Sequence, residues 1–323
     1  MPKVINRRHL QRALETRQKL ISSGHTDMFR LIHGAGDGFP GLYIDVYNGH
    51  FRLEAHDESW AHSWLEWRDT LLATSLVPKS ILAVVSDKKG KAKTLDSYFG
   101  LTPHLIVGKE FGLRYALRLN EPDALGTGLF ADMRLVRQRV RQEASGKRVL
   151  NCFAHAGAFG VVAAVGGATR VDHLDAARKC APWSALNLAL NGINPRSHRF
   201  LVEDAFKFLK KVARKGSAYE LIICDPPATS IAPGGKRWTT KDHLDFFSTH
   251  LTNALAPHGS FIFSTNDRSL SLDVLHEEMQ SRVSLTGRKI KKISSLPIDI
   301  DYPEKADAPR LRTMRGVWVT LAD

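Results

Sequence analysis

The C-terminal part of the chain alternates short apolar runs with helical stretches, and this pattern restricts the fold more than any other feature. The runs are residues 149–153, 170–174, 198–202, 221–224 and 260–263. Each is preceded or followed by a segment with helical spacing. Strands that alternate with helices form a parallel sheet covered by helices on both faces. We therefore predict a doubly wound α/β sheet.

The N-terminal part has a different pattern. Residues 7–23 have the spacing of an amphipathic helix, and two alternating segments joined by Asn48-Gly49 indicate a β-hairpin. Trp60, Trp64 and Trp67 share one face of a predicted helix, and we interpret them as core. We expect an N-terminal helix at 1–25, a small α+β domain at 26–120 and the doubly wound domain at 121–323.

The charge balance indicates a polyanionic partner. Lys and Arg number 46 against 33 Asp and Glu, a net charge of +13, which leaves RNA, DNA and anionic membrane open. No apolar run approaches the ~18 residues that span a bilayer, and the N-terminus lacks the apolar segment of a secretory signal. Three widely spaced cysteines match neither a disulfide framework nor a metal site. We expect a soluble, cytoplasmic protein without a metal.

Ligands of doubly wound sheets bind beyond the carboxyl ends of the strands, where the strand order reverses. The first strand leads into small residues ending at Gly157, and the helix that follows could bind a carboxylate through its N-terminal amides. Close packing is the alternative for these small residues. The second strand ends at Asp175, which could hold both hydroxyls of a ribose or cap a helix.

Two further strand ends carry carboxylates. Asp204 follows the third strand and could accept from an adenine amino group. The fourth strand ends in Asp225-Pro226-Pro227, where two prolines forbid helix and strand alike and stiffen the backbone beside one carboxylate. We expect more than a turn there.

The order of these motifs resembles that of Rossmann-like class I methyltransferases, which use S-adenosylmethionine. Residues 126–137 (GTGLFADMRLVR) and 149–157 (VLNCFAHAG) look like the 23S ribosomal RNA methyltransferase family of cytosine-C5 and guanine-N7 enzymes. The resemblance covers residues 8–323, and residues 37–42 (DGFPGL) resemble that family's middle domain. The chain starts where the N-terminal PUA domain of the cytosine-C5 members would have ended. We therefore expect RNA capture without that domain.

The resemblance also implies a cofactor site. In this site Arg134 is a candidate partner for the methionine carboxylate, with a surface ion pair as the alternative. His155 departs from the family, which often has Tyr there. The implied cofactor residues are Phe130, Arg134, Asn151, Phe153, Ala154, His155, Gly157, Asp175, Asp204 and Asp225.

The cysteines decide between the two branches of the family. Methylation of a pyrimidine at C5 needs a thiolate that adds to C6. The resembling cytosine-C5 enzymes carry this cysteine after the fifth strand, where this chain has Thr265 and Asn266. We expect Cys224, at the end of an apolar strand, to be buried. These residues disfavour C5 chemistry.

Residues 263–273 look closer to the guanine-N7 branch. Guanine N7 carries an in-plane lone pair and no proton, so the reaction needs in-line positioning and no general base. We predict that Asp225 orients the base within Asp225-Pro226-Pro227, and that Asn266 contacts its edge unless it only forms a turn. Candidate RNA contacts are Lys236, Arg237 and Arg268.

Other functions remain open at this point. Asp225 would serve equally in methylation of an exocyclic amine. A non-catalytic RNA-binding protein with a degenerate cofactor fold predicts no affinity for S-adenosylmethionine. A dehydrogenase is disfavoured because no Gly-x-Gly-x-x-Gly fingerprint is present.

Overall fold

The computed structural model describes residues 5–56, 58–86, 92–120, 126–216, 219–231, 235, 237–304 and 314–323. The chain divides into two compact units. The first contains residues up to Arg134 and a segment that begins at Ile298, and the second contains Leu135–Pro297 and the last strand. The sequence-based boundary between residues 120 and 121 thus lies earlier than the division in the structure.

The first unit is built on a mixed five-stranded sheet. Its elements are α1 (Arg7–Ser22), β1 (Met28–His33), β2 (Leu42–Tyr47), β3 (His50–Ala55), α2 (Trp64–Leu72), β4 (Ser80–Ser86), β5 (Ala92–Phe99), β6 (Ile106–Glu110) and β7 (Leu113–Leu117). The strand order is β1-β2-β3-β4-β5, and only β3 and β4 are parallel. Asn48 and Gly49 have φ of 50° and 79°, as the predicted tight hairpin requires.

The core of the first unit lies between this sheet and its helices. Trp60, Trp64 and Trp67 are all buried in it, as predicted. Helix α1 turns Leu10 and Leu20 inward, and the side chain of Asn6 caps its first turn. The helix therefore belongs to the first unit and is not a separate domain.

Buried ion pairs attach the segment after Ile298 to the first unit. The Asp301 carboxylate accepts the Arg30 backbone N–H at 3.0 Å and the Arg134 guanidinium at 3.1 Å. Arg17, which pairs with Asp37 at 2.6 Å, also donates to the Asp301 carbonyl at 3.0 Å. These partners are far apart in sequence, so a boundary drawn from local composition could not include the segment.

The second unit contains a seven-stranded sheet. Its elements are α3 (Arg134–Glu143), β8 (Arg148–Cys152), α4 (Ala158–Val165), β9 (Arg170–Leu174), α5 (Cys180–Leu190), β10 (Arg199–Leu201), α6 (Ala205–Lys215), β11 (Tyr219–Cys224), β12 (Thr229–Ile231), β13 (Arg237–Thr239), α7 (Leu244–Ala254), β14 (Leu255–Thr265), α8 (Leu272–Leu285), β15 (Ile290–Ser295) and β16 (Arg315–Leu321). Strands β12 and β13 form a separate small hairpin.

The strand order of the large sheet is β10-β9-β8-β11-β14-β16-β15. The first five strands in this order are parallel, which confirms the predicted doubly wound fold. Strands β15 and β16 pair antiparallel at one side and were not predicted. The order reverses between β8 and β11, so the carboxyl ends of these two strands open the crevice where such sheets bind ligands.

Helices cover both faces of this sheet. On one face, Phe208 of α6, Phe247 of α7 and Met279 of α8 pack into a core with Phe261 and Phe263. On the other face, α4 packs on β8 and β9, and α5 lies beside α4. None of the described helices is long and apolar enough to cross a bilayer.

Candidate cofactor and catalytic site

The loop between β8 and α4 has an unusual backbone. Phe153, His155 and Gly157 all have positive φ, at 55°, 49° and 77°. The left-handed conformation costs a non-glycine residue about 1–2 kcal/mol, and such strain persists only where the surroundings enforce it. Strained residues of this kind cluster at ligand sites, and this loop leaves the central strand at the switch point of the sheet.

Side chains from two other elements hold this loop in place. The carboxylate of Asp175, directly after β9, accepts the His155 N–H at 2.9 Å. From α5, Ser184 donates to the His155 carbonyl at 3.2 Å and Asn187 donates to the Ala156 carbonyl at 2.8 Å. Ser184 and Asn187 were not predicted as site residues from the sequence. Their i, i+3 spacing on one helix face is the signal that could have indicated them.

The loop ends in donors suited to an anionic or polar ligand. Gly157 is the N-cap of α4 and supplies no side-chain cap, so the first-turn amides of α4 are left for a ligand. A Cβ on Gly157 would lie 2.6 Å from Ser184 Oγ, so only glycine fits. Asn151 is 2% exposed, and its Nδ2 has no hydrogen-bond partner among the residues that the structure describes. Buried donors without a partner are rare, which fits a bound group.

The two acidic residues at the next strand ends have different surroundings. Asp175 is half-buried, and its second oxygen accepts the Ala177 N–H at 2.9 Å. Helix α5 starts only at Cys180, so Asp175 connects the β8 loop with its own loop and is not that helix's cap. Asp204 is the N-cap of α6 and accepts the Lys207 N–H at 3.0 Å. Its predicted contact with adenine stays a prediction.

The Asp225-Pro226-Pro227 loop is fixed from both of its sides. Ser264, near the end of the adjacent strand β14, donates to Asp225 Oδ1 at 2.6 Å. Thr240 donates to the Pro227 carbonyl at 2.7 Å, and Asn266 Oδ1 accepts the Ala228 N–H at 3.1 Å. Asp225 is half-buried at the same crevice as the β8 loop, because β8 and β11 are neighbours. Asp225 and Asn266 were predicted as site residues from the sequence, whereas Ser264 and Thr240 were not.

The thiols of all three cysteines are buried, including that of Cys224. Burial raises the pKa of the Cys180 thiol to about 12, and the neighbouring Asp175 charge adds to the shift. Burial also raises the pKa of Cys224 well above its ordinary value. These two side chains are protonated at neutral pH.

Arg134 is held by partners in the first unit. Its guanidinium is fully buried and pairs with Asp299 at 2.6 Å and Asp301 at 3.1 Å, and also donates to the Met28 carbonyl at 2.8 Å. Glu110 lies 3.6 Å away. These partners bind both terminal nitrogens of the guanidinium and disfavour a contact with the methionine carboxylate, which stays a prediction. The alternative of a surface ion pair is wrong, because the side chain is buried.

The remaining predicted residues are Phe130 and the three candidate RNA contacts. Phe130 is 50% exposed at the start of a 3-10 helix, Ala131–Met133, in the first unit. Arg237 and Arg268 are exposed in the second unit. Lys236 lies outside the described residues. Among those that are described, no group of three or more His, Cys, Asp or Glu could hold a metal ion.

The fold and these loops define the class of the protein, a class I methyltransferase. The strand order, the loop after β8 and the Asp-Pro-Pro loop after β11 together carry this assignment. The chain belongs to the S-adenosylmethionine-dependent methyltransferase family, whose sequence pattern residues 100–311 match. It is an enzyme with S-adenosylmethionine as its cofactor.

Curated relatives confirm the predicted family resemblance. A Deinococcus radiodurans protein named ribosomal RNA large subunit methyltransferase is 28% identical over 282 residues, 85% of this chain and 68% of that protein. Ribosomal RNA large subunit methyltransferase K of Neisseria meningitidis is 30% identical over 281 residues, 83% of this chain and 75% of its own length. The crystal structure of SMU.776, described as a methyltransferase complexed with SAH, superimposes with a TM-score of 0.86 at 22% identity, over 97% of this chain and 80% of that one. That likeness shows a shared fold.

Proposed function

We propose that this enzyme methylates a purine of large-subunit ribosomal RNA, with guanine N7 as the favoured atom, and that it uses no cysteine nucleophile. The RNA substrate is supported by the names of the curated relatives and by the net charge of +13. The observation that carries the choice of atom is the fixed carboxylate of Asp225. It stands beside the end of β14, where Thr265 and Asn266 occupy the place of the cysteine that the resembling C5 enzymes use.

The surroundings of Asp225 suit an orienting role. Ser264 is fully buried, and its 2.6 Å hydrogen bond holds one carboxylate oxygen in place. A carboxylate fixed in this way can accept an N–H from a guanine edge and hold the ring at a set angle. N7 carries no proton, so this positioning is the main contribution that the reaction needs from the protein. Asn266 is a positioning residue, since its side chain already holds the Ala228 N–H.

The cofactor is assigned to the β8 loop and its neighbours. S-adenosylmethionine, when bound, supplies an electrophilic methyl group on a sulfonium. The α4 N-terminus after Gly157 fits the methionine carboxylate, replacing Arg134 in that role. Asp175 fits the ribose hydroxyls, and Asp204 the adenine. Phe153, Ala154 and His155 would line the ligand from the same loop.

Methyl transfer to ribosomal RNA from a strain that lacks the protein tests this proposal. The Asp225→Ala variant should lose about 100-fold in the chemical step, because one orienting contact is lost in an in-line transfer. Its Kd for S-adenosylhomocysteine should change by less than about 3-fold. The matched controls are Cys152→Ser, Cys180→Ser and Cys224→Ser, which should retain the chemical step wherever they stay folded.

Product analysis tests the atom independently of mutagenesis. An N7-methylated guanine carries a fixed positive charge, and its strand cleaves after reduction and aniline treatment, which locates the nucleotide. If mass spectrometry of the nucleosides finds a methyl group on an exocyclic amine of the base, the enzyme methylates that amine and not N7. Finding 5-methylcytosine, or a covalent adduct with 5-fluorocytosine RNA, would show that a thiolate acts and that the proposal is wrong.

A further inference from the structure

The outer surface of α6 carries a row of cations that the methyl-transfer site does not use. Residues 205–215 contain five Lys or Arg and no Asp or Glu. Ala205, Phe208, Leu209 and Val212 point into the core. The exposed side chains are Lys207, Lys210, Lys211, Arg214 and Lys215.

The spacing of these cations makes a continuous stripe. Lys207, Lys211 and Arg214 are separated by four and three residues, and Lys210 lies beside them, so all four share one face of the helix. From Lys207 to Arg214 the stripe is about 10 Å long, at ~1.5 Å per residue. One strand of a nucleic acid places a phosphate every ~3.4 Å along a helix, so the stripe spans about three phosphates.

The cations are poorly neutralised by the protein. Lys211 has a weak pair with Glu203 at 3.8 Å. Within the described ranges, no carboxylate lies at ion-pair distance from Lys210 or Arg214. Exposed cations that no carboxylate neutralises gain most from a polyanion, because each neutralised phosphate releases condensed counterions.

Helix α7 forms the other wall of this surface. A shallow groove of about 270 Å³ between the helices is lined by Lys210, Ala213, Arg214, His250 and Asn253. His250 stacks on Phe246 with ring centroids 4.0 Å apart, and Lys210 Nζ lies 5.6 Å from the centre of the Phe246 ring. The groove therefore combines cations with hydrogen-bonding side chains around an aromatic pair, a combination suited to a nucleic-acid backbone.

Aromatic contacts connect this groove to the catalytic edge of the sheet. The ring centroids of Phe246 and Phe206 are 4.8 Å apart. Phe206 lies two residues after Asp204 in the chain. The ring centroid of Phe206 in turn lies 5.0 Å from those of Trp238 and His243. Trp238 lies on β13, two residues before Thr240, which holds the Asp-Pro-Pro loop. Lys207, which follows Phe206 in the first turn of α6, is therefore the end of the stripe nearest to the Asp-Pro-Pro loop.

We propose that the α6–α7 surface, defined by Lys207, Lys210, Lys211, Arg214, His250 and Asn253, binds the phosphate backbone of the substrate RNA. This inference rests on the proposed RNA substrate and adds the route by which the RNA reaches Asp225.

The test compares two double variants with equal loss of charge. Lys210→Gln/Arg214→Gln removes two cations of the α6–α7 surface, and Lys291→Gln/Lys292→Gln removes two exposed cations of β15 as the control. Binding of a labelled 23S ribosomal RNA transcript is measured over a range of salt concentrations. The first variant should bind about 10-fold more weakly at physiological salt, with a log–log salt slope shallower by about 1.4. Its KM for RNA should rise while kcat and S-adenosylhomocysteine binding are kept.

The outcomes separate this inference from the proposed function. If the unmodified enzyme neither binds nor methylates RNA, the proposed function itself fails. If it does both and the α6 variant behaves like the unmodified enzyme, or no worse than the β15 control, the surface does not bind RNA. If the α6 variant loses affinity for poly-L-glutamate but keeps RNA affinity, the surface serves an acidic protein, which also overturns the inference.

Discussion

At the scale of single residues, the β8 loop shows how a small set of side chains keeps a strained backbone in place. Phe153 and His155 adopt left-handed conformations that cost each about 1–2 kcal/mol in isolation. Asp175, Ser184 and Asn187 supply the hydrogen bonds that offset this cost. The α4 amides are uncapped for a different reason, because the N-cap residue Gly157 has no side chain.

Gly157→Ala should weaken binding of S-adenosylhomocysteine about 10-fold or more, as measured by calorimetry. The new Cβ would lie 2.6 Å from Ser184 Oγ, and the alanine would have to keep a φ of 77°. The loop therefore has to shift, which should weaken the ligand contacts. Asp175→Ala should weaken binding to a similar extent, because the two ribose contacts proposed for this carboxylate, at ~1 kcal/mol each, would be lost together with its hydrogen bond to the His155 N–H.

Gly192→Ala is the matched control for this prediction. Gly192 has a φ of 73°, and a Cβ added there would meet no atom within 4 Å, so the substitution adds backbone strain without a clash. It should reduce stability by about 1 kcal/mol and leave the cofactor affinity unchanged. Equal affinity losses in Gly157→Ala and Gly192→Ala would mean that general destabilisation, and not the β8 loop, controls binding.

At the scale of elements, the start of α3 depends on Asp299 and Asp301, which lie 165 and 167 residues after Arg134 in the chain. Asp301 is fully buried and is paired with Arg134, while Glu110 of β6 lies close to the same guanidinium. Removing one partner from a buried ion pair costs far more than the pair itself contributes, because the remaining charge stays desolvated. Arg134 is therefore a structural residue of the first unit.

Arg134→Met should lower the free energy of unfolding by about 3–5 kcal/mol, measured by urea denaturation. The control is Arg139→Met in the same helix. Arg139 is partly exposed, its guanidinium carbon lies 3.8 Å from the centre of the Trp318 ring, and it pairs with Glu143. Because these contacts are near the surface, losing them should cost only about 1 kcal/mol. A stable Arg134→Met protein with a selective loss of cofactor affinity would restore the role that the sequence suggested.

At the scale of the whole molecule, each unit contains a buried histidine that stays neutral. Burial lowers the pKa of His33 to about 3, and the nearby charges of Arg30 and Arg17 act in the same direction. Burial likewise lowers the pKa of His173 to about 3, and neither of its ring nitrogens has a hydrogen-bond partner within the described chain. In the unfolded chain both imidazoles titrate near 6.5.

Stability should therefore fall as the pH drops from about 6.5 towards 3. In this range the unfolded chain binds protons that the folded protein does not, at a cost of about 1.4 kcal/mol per pH unit for each histidine. His173→Phe keeps a ring against Phe200. Between pH 6.5 and 5, the slope of its unfolding free energy against pH should be smaller by about 1.4 kcal/mol per pH unit, the contribution of one proton. An unaltered slope in His173→Phe would contradict the neutral, buried assignment.

Sequence alone determined the secondary-structure pattern of the second unit and the residues at its strand ends. Asp175, Asp204 and Asp225 could be predicted because each directly follows an apolar run, and parallel strands bring their carboxyl ends to one edge. The tryptophans of the first unit were predicted as core for a similar reason, since helical periodicity is a local property. Strands β15 and β16 were missed because antiparallel strands at the side of a sheet lack the strand–helix alternation.

Only the tertiary structure decided which side chains serve these strand ends. Ser264 reaches Asp225 across 39 residues, Ser184 reaches the β8 loop across 29, and Asp301 reaches Arg134 across 167. The sequence could place Arg134 in a motif but could not show that two buried carboxylates already bind it. The physical reason is that periodicity and strand order are set by neighbours along the chain, whereas a hydrogen bond or a buried ion pair is set by which distant residues the fold brings within about 3 Å.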